Sequence, residues 1–99
     1  MEMSEQQIIK LINKLNDEDY DVRKNVEDIL IKVSEQSINP LIRALNHDNP
    51  EIKMQSARIL GKIGDKKALD PLIEALKDGN PEFRREVSIS INKIVDKNP

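Results

Sequence analysis

The strongest constraint in this sequence is an internal repeat of about 30 residues. Three segments, which begin at Leu11, Leu41 and Leu72, align almost without gaps at offsets of 30 and 31 residues. They read LINKLNDEDYDVRKNVEDILIKV, LIRALNHDNPEIKMQSARILGKI and LIEALKDGNPEFRREVSISINKI. The one extra residue falls in a predicted loop before the third segment, so it leaves the register within each segment unchanged.

Each repeat divides into two amphipathic stretches, called here helix A and helix B. In the first repeat, helix A carries Leu11, Ile12 and Leu15, the spacing of one helical face. The two later repeats keep this pattern as Leu41, Ile42 and Leu45, and as Leu72, Ile73 and Leu76. Helix B shows the same periodicity at Val22, Val26, Ile29, Leu30 and Val33 and at their counterparts. The pattern therefore predicts six helices.

Capping residues mark where several of these helices begin and end. Asn49-Pro50-Glu51 and Asn80-Pro81-Glu82 each place an N-cap side chain before a proline that is tolerated at the first helical position. Asp19 has the same role without a proline, and Ser4 with Gln7 makes a capping box. Gly64 is placed to end a helix in the left-handed conformation. Helix A of the later repeats is expected to begin near Asn39-Pro40 and Asp70-Pro71 or a few residues earlier.

A single helix pair of this length cannot bury its apolar stripe, so neighbouring pairs must stack and share a core. The sequence therefore predicts an all-α fold, an α-solenoid of three antiparallel helix-pair repeats. We expect one domain over residues 1–99, with repeats at about 4–35, 38–65 and 69–97.

Composition and charge narrow the classes of function. The net charge of −2 gives no overall attraction to nucleic acid or to an anionic membrane. The absence of cysteine excludes disulfides and thiolate chemistry and suits a reducing compartment. No run of residues reaches membrane-spanning length, and the first ten residues lack the features of a signal peptide. We therefore expect a soluble cytoplasmic protein.

The segment from Gly61 to Asp78, GKIGDKKALDPLIEALKD, resembles the consensus of short HEAT-like repeats of the type found in phycobilisome lyases. The resemblance extends from about Ser4 to Lys97. It implies a scaffold that binds a protein or peptide on the concave side, which the B helices line in that family. The alternative that it implies is an accessory subunit of a lyase-like or cofactor-handling enzyme.

The same resemblance implies a ladder of ion pairs between adjacent repeats. The family places an aspartate six residues before an arginine near the start of helix B. This sequence has Asp17 with Arg23, and Asp78 with Arg84. The middle repeat departs from the pattern with His47 and Lys53, although the neighbouring Asp48 is a candidate substitute for the aspartate.

No set of residues indicates catalysis or a bound cofactor. His47 is the only histidine and is followed by Asp48, so the repeated His-Glu pairs of the family's hydroxylases do not occur. A metal site needs three or four converging ligands. Ser56, Ser88 and Ser90 have no histidine nearby in the pattern, and there is no glycine-rich phosphate loop. We therefore expect a protein that is not an enzyme and has no cofactor.

The helix B segments are more basic than the rest of the chain. Together they carry a charge of +3, against −5 for the remaining residues. Lys32, Lys62 and Lys93 occupy equivalent positions and should form a column at intervals of roughly 10 Å. Lys24, Arg58 and Arg85 are expected to flank it. Two interpretations remain open at this stage: solvated lysines on polar helix faces, or a groove for an acidic segment of a protein partner.

The last repeat is more apolar on its outer side than the others. Ile89 stands where the earlier repeats have Asp28 and Arg58, and Val95 stands where they have Ser34 and Gly64. Terminal repeats normally present polar caps. Ile89 and Val95 therefore indicate an edge that docks on a second copy or on a partner, a chain cut from a longer array, or side chains that fold inward. With Tyr20 and Phe83 as the only aromatic residues, there is little surface on which nucleic-acid bases could stack.

Overall fold

The computed structural model describes residues 1–99 and contains helices, turns and loops but no strands. Its six α-helices are α1 (Glu5–Ile12), α2 (Tyr20–Lys32), α3 (Ser34–Arg43), α4 (Pro50–Ile63), α5 (Leu69–Ala75) and α6 (Pro81–Lys97). Short 3-10 turns follow α3 at Ala44–Asn46 and precede α5 at Lys66–Ala68. The predicted six helices are thus confirmed. None of them is long and apolar enough to cross a membrane.

The predicted N-caps are present in the structure. The Ser4 side chain accepts a hydrogen bond from the backbone amide of Gln7, whose side chain accepts one in return from the amide of Ser4. Asp19, Asn49 and Asn80 each accept from two backbone amides in the first turn of α2, α4 and α6. These bonds satisfy donors that a helix start would otherwise leave unpaired.

The end of α4 is fixed by Gly64 and by Lys97 and Asn98 at the C-terminal end of α6. Gly64 adopts a φ of +76°, in the left-handed region that glycine reaches without a Cβ clash. Lys97 donates from Nζ to the carbonyl of Ile63, and Asn98 donates to the carbonyl of Gly64. Carbonyls that α4 leaves unpaired at its C-terminus are therefore satisfied by the neighbouring repeat.

Helix α3 begins earlier than the Asn39-Pro40 signal indicates. It starts at Ser34, separated from α2 only by Val33, and Pro40 is therefore its seventh residue. The hydroxyl of Ser37 donates to the carbonyl of Leu30 at 2.6 Å, which ties this tight corner together. The corner turns the chain from the B helix of one repeat straight into the A helix of the next.

The helices form two layers, α1–α3–α5 and α2–α4–α6, and each helix packs on its partner in the same repeat. Between repeats, α1 packs on α3 and the B helices pack on one another, whereas α5 meets the second repeat through the 3-10 turn that follows α3. One cluster of 18 buried apolar residues runs through all three repeats. This continuous core, shared between adjacent pairs, confirms the α-solenoid. The radius of gyration of 12.5 Å is close to that of a globular chain of this length, because three repeats are too few to elongate the molecule.

The B helices are unevenly spaced along the solenoid. Helices α4 and α6 pack closely through small residues, since a Cβ on Gly61 would lie 2.5 Å from Ser90 Oγ. Ser90 also donates to the carbonyl of Ala57 at 2.7 Å. At the position equivalent to Ala57, α2 carries Glu27 instead. A larger, charged side chain thus stands between α2 and α4, and a cleft opens beside it.

Candidate functional site

The cleft between α2 and α4 is a polar concave site with a volume of about 310 Å³. It opens on the side of the molecule formed by the B helices. Four of its lining side chains are cationic and one is anionic. The lining consists of Leu15, Tyr20, Arg23, Lys24, Glu27, Gln55, Arg58 and Lys62.

Glu27 is the centre of this cleft. The residue is only 2% exposed, yet its carboxylate accepts from three cationic side chains. Lys24 and Lys62 donate to Oε2 at 3.1 and 2.9 Å, and Arg58 donates to Oε1. Arg58 also donates from Nε to the side-chain oxygen of Gln55 at 3.0 Å, which orients the guanidinium. The buried charge is thus paired and hydrogen-bonded, as a buried carboxylate must be to remain ionised.

The surroundings of Glu27 keep its carboxylate ionised. Burial alone would raise its pKa, but hydrogen bonds from Lys62 and Lys24 and the charge of Arg58 outweigh burial and hold the pKa below its ordinary value of 4.5. The same contact acts on the lysine, since the hydrogen bond to Glu27 raises the pKa of Lys24. Around neutral pH the cluster therefore holds three positive charges about one negative charge.

The outer rim of the cleft carries the fourth cation, Arg23, and the exposed aromatic ring of Tyr20. Arg23 donates from Nη1 to the backbone carbonyl of Asp17 at 2.6 Å, and its guanidinium lies 5.7 Å from the centre of the Tyr20 ring. Tyr20 is the first residue of α2 and is mostly exposed. The rim therefore presents a fixed positive charge beside an aromatic face, an arrangement typical of cation–π contacts.

The structure divides the three lysines of the predicted column and the three basic residues expected to flank it into two groups. Lys24, Arg58 and Lys62 converge on Glu27. The other three are exposed on helix B and make no ion pair: Lys32, Arg85 and Lys93. Sequence reasoning did not single out Glu27. The available signal was its position, because the equivalent residue of the second repeat is the small Ala57 rather than a polar surface residue.

The residues of the predicted ladder make contacts of a different kind from the expected ion pairs. Arg23 and Arg84 reach back to the backbone carbonyls of Asp17 and Asp78, each within its own repeat. One ion pair does link two repeats, because Lys53 of the second donates to the carboxylate of Asp78 in the third. This hydrogen bond lowers the pKa of Asp78. The remaining member of the predicted set, Asp48, makes no ion pair or side-chain hydrogen bond.

In the middle repeat, His47 replaces the missing aspartate as the acceptor of a backbone hydrogen bond. Its Nδ1 accepts from the amide of Asn49 at 2.9 Å, just as the carboxylate of Asp17 accepts from the amide of Asp19 at 2.9 Å. In neutral His47 the proton is therefore on Nε2, which donates to the side-chain oxygen of Asn13 at 3.0 Å. This bond joins the first two repeats. No group of three or more acidic or histidine side chains is arranged to hold a metal ion.

The two residues of the predicted docking edge, Ile89 and Val95, are both exposed on α6. They are six residues apart, so at 100° per residue they point about 120° away from each other. They therefore belong to different sides of the helix. Two further apolar residues of the third repeat are exposed, Ile73 on α5 and Leu76 directly after it.

Comparison with known proteins identifies the type of repeat. No curated protein matches the chain. A family model described as HEAT repeats matches residues 8–91, which is most of the sequence and extends from within α1 to within α6. That match covers HEAT repeats in general and does not distinguish the phycobilisome lyase type. Proteins built from such repeats are commonly scaffolds for protein interactions. With its stacked helix pairs and this match, the chain belongs to the HEAT-repeat family.

Proposed function

We propose that this protein is a non-catalytic interaction module that binds an acidic segment of a partner protein in the cleft between α2 and α4. The observation that carries the proposal is the excess of cations around Glu27. Four basic side chains line the cleft against one carboxylate, although the whole chain has a net charge of −2. The cleft is thus a local positive site on a slightly negative molecule.

The cations of the cleft are held in place but remain accessible. The side chains of Lys24, Arg58 and Lys62 are 47, 35 and 31% exposed while they contact Glu27. Because these long side chains are already ordered before binding, less side-chain conformational entropy is lost when a ligand binds. A carboxylate of the ligand can therefore accept hydrogen bonds from the free donors of these groups, which are already positioned close together.

Further features extend the site beyond the cleft. Tyr20 offers an exposed apolar ring at the rim, where side chains next to an acidic residue can pack. The unpaired Lys32, Arg85 and Lys93 increase the positive potential on the B-helix side, which accelerates encounter with an acidic partner. The resemblance to HEAT-like repeats implies that this side is the concave one. The absence of cysteine supports a cytoplasmic location for the interaction.

A protein segment fits this site better than nucleic acid does. Single-stranded nucleic acid is bound by grooves in which aromatic rings stack on successive bases. Here Tyr20 is the only aromatic residue at the cleft, because Phe83 is buried on α6. A short site with one aromatic ring and several cations is better suited to a peptide segment that carries a few consecutive acidic residues.

The proposal is tested with a labelled hexaglutamate peptide and fluorescence anisotropy on the whole chain. We expect binding that weakens as NaCl rises from about 50 to 300 mM, because the charges become screened. The double substitution Lys24→Gln and Lys62→Gln should weaken binding about tenfold, since two charge contacts are worth about 1.4 kcal/mol together. Thermal unfolding of each variant establishes that it is folded.

The matched control is Lys66→Gln with Lys67→Gln, which removes the same charge from an exposed turn away from the cleft. This pair should change affinity by less than about twofold. Equal losses in both double variants would mean that only overall charge matters, and the assigned site would be wrong. Absence of peptide binding at about 1 mM, or tighter binding of a labelled single-stranded oligonucleotide, would also contradict the proposal.

A further inference from the structure

The three cations around Glu27 converge on one point of the cleft. Lys24 and Lys62 donate to the same carboxylate oxygen, Oε2, at 3.1 and 2.9 Å, and Arg58 donates to the other oxygen. Lys24 comes from α2, whereas Arg58 and Lys62 come from α4, so the cations approach from both walls of the cleft. The cleft therefore concentrates three positive charges around the space of a single anionic group.

This concentration of charge exceeds what one carboxylate can neutralise. Three positive charges and the one negative charge of Glu27 give the cluster a net charge of +2. The charges at its edge offset each other, because Arg23 lies at the rim and Asp28 lies 3.8 Å from Lys24. A phosphorylated side chain carries a charge of about −1.5 to −2 at pH 7, whereas a glutamate carries −1. A phosphoryl group therefore matches the cluster more completely.

Two carboxylates of a peptide match the cluster less well than one phosphoryl group. In an extended segment, side chains on the same face are two residues apart, which separates their backbone positions by about 7 Å. Two carboxylates from such a segment would have to bend towards each other and lose hydration to share one point. A phosphoryl group brings the same charge on one centre.

The cations also keep hydrogen-bond donors for a ligand. Each lysine ammonium has three N–H donors and uses one of them on Glu27. Arg58 uses Nε and Nη2 on Gln55 and Glu27, so both hydrogens of its Nη1 remain free. The bonds to Gln55 orient the planar guanidinium, whose geometry suits phosphate oxygens. A phosphoryl group offers three acceptor oxygens, one more than a carboxylate, and can accept from all three cations.

We propose that the cleft binds a phosphorylated side chain within the acidic segment of the partner protein, in preference to an unmodified acidic residue. This inference rests on the proposed function, which places the segment in the cleft, and adds the chemical group that is recognised. Glu27 holds the cations together before binding, and the phosphoryl group accepts from their remaining donors. A nucleic-acid backbone fits less well, since each of its phosphates carries one negative charge.

The test compares three labelled peptides that are identical except at one central residue, which is phosphoserine, glutamate or serine, flanked by glycines and glutamates. Their affinities for the whole chain are measured by fluorescence anisotropy at about pH 7.5 in about 100 mM NaCl. We expect the phosphoserine peptide to bind at least about tenfold more tightly than the glutamate peptide. The serine peptide should bind most weakly.

The pH dependence of binding gives a second readout of the same preference. The second ionisation of a phosphoryl group has a pKa of about 6, whereas a glutamate side chain titrates near about 4.3. Lowering the pH from about 7.5 to 5.5 should therefore weaken the phosphoserine peptide severalfold and change the glutamate peptide by less than about twofold. No histidine lines the cleft, so the cations of the site keep their charge over this range.

Arg58→Gln is the informative variant, and Arg43→Gln is its matched control. Arg43 lies on α3, outside the cleft, in an exposed ion pair with Glu5. Arg58→Gln should reduce the preference for phosphoserine over glutamate to less than about threefold, because the paired donors of the guanidinium are lost. Arg43→Gln should leave the preference within about twofold of that of the parent chain. Thermal unfolding establishes that both variants are folded.

Equal affinity of the parent chain for the phosphoserine and glutamate peptides would overturn the inference, and this comparison is decisive even if Arg58→Gln does not fold. A preference that survives in folded Arg58→Gln, or that both variants lose equally, would also overturn it. Free phosphoserine that binds as tightly as the peptide would mean that a small phosphorylated molecule is recognised instead of a protein segment. Tighter binding of a labelled single-stranded oligonucleotide would favour nucleic acid. Hexaglutamate contains no phosphoryl group, so failure of the proposed function is seen in a separate measurement.

Discussion

Replacement of Glu27 by glutamine removes the one negative charge at the centre of the cleft while keeping the shape of the side chain. In the folded protein this carboxylate accepts from Lys24, Arg58 and Lys62. Glutamine can accept at one oxygen only, and its amide group would face a cation. The perturbation therefore leaves positive side chains close together around a neutral group.

The size of the effect follows from the burial of the partners. Breaking a fully buried ion pair costs about 3 to 5 kcal/mol, and a surface pair contributes at most about 1 kcal/mol. Here the carboxylate is buried, but its three partners are 31 to 47% exposed and can recover hydration. We therefore expect Glu27→Gln to lower the free energy of unfolding by about 2 kcal/mol. For a domain of this length that corresponds to a melting temperature lower by about 10 °C.

The pH dependence gives a stricter test than the size alone. Because folding lowers the pKa of Glu27, its stabilising contribution is complete above the ordinary value of 4.5 and is lost as pH falls through the folded value. The glutamine variant lacks this contribution at every pH. The difference in free energy of unfolding between the two proteins should therefore be largest at pH 7 and should disappear in strong acid. Asp78 also has a lowered pKa, but it is present in both proteins and cancels in the comparison.

The assay is urea unfolding followed by circular dichroism at several pH values between about 2 and 7. Glu74→Gln is the control, because that carboxylate forms an exposed pair with Lys77 and should matter by less than about 0.5 kcal/mol. If Glu27→Gln is as stable as the parent chain at pH 7, the cluster does not stabilise the fold. A gap that is independent of pH would show that shape rather than charge is responsible.

Three other predictions concern small residues in the core. Ser56 has a buried hydroxyl without a hydrogen-bond partner, so Ser56→Ala should keep or raise the free energy of unfolding, by up to about 1 kcal/mol. The equally buried Ser37 and Ser90 each donate to a backbone carbonyl, and their alanine variants should lose about 1 to 2 kcal/mol in the same urea titration. Gly61→Ala should destabilise by about 1 to 3 kcal/mol despite the better helix propensity of alanine, because its Cβ would overlap Ser90. Combining it with Ser90→Gly should recover part of that loss; full additivity of the two changes would argue against the overlap.

Structural roles that depend only on residues nearby in the sequence could be predicted from the sequence. Asn49 and Asn80 cap helices through amides two and three residues away, and Gly64 ends α4 through its own φ angle. The repeat extended this local information to the whole chain, since a helix pair that cannot bury its apolar side must stack on the next. The solenoid and its six helices followed from these short-range rules.

Pairings between repeats were decided by the tertiary structure. Glu27 meets Arg58 and Lys62 across 31 and 35 residues, and whether they meet depends on how far α2 stands from α4. That distance is set by side chains on both helices at once, as the close approach of Gly61 to Ser90 shows for α4 and α6. The same holds for Val95 and Ile89. Both are apolar in the sequence, but only the packing of α6 on its neighbours determines that both side chains remain exposed.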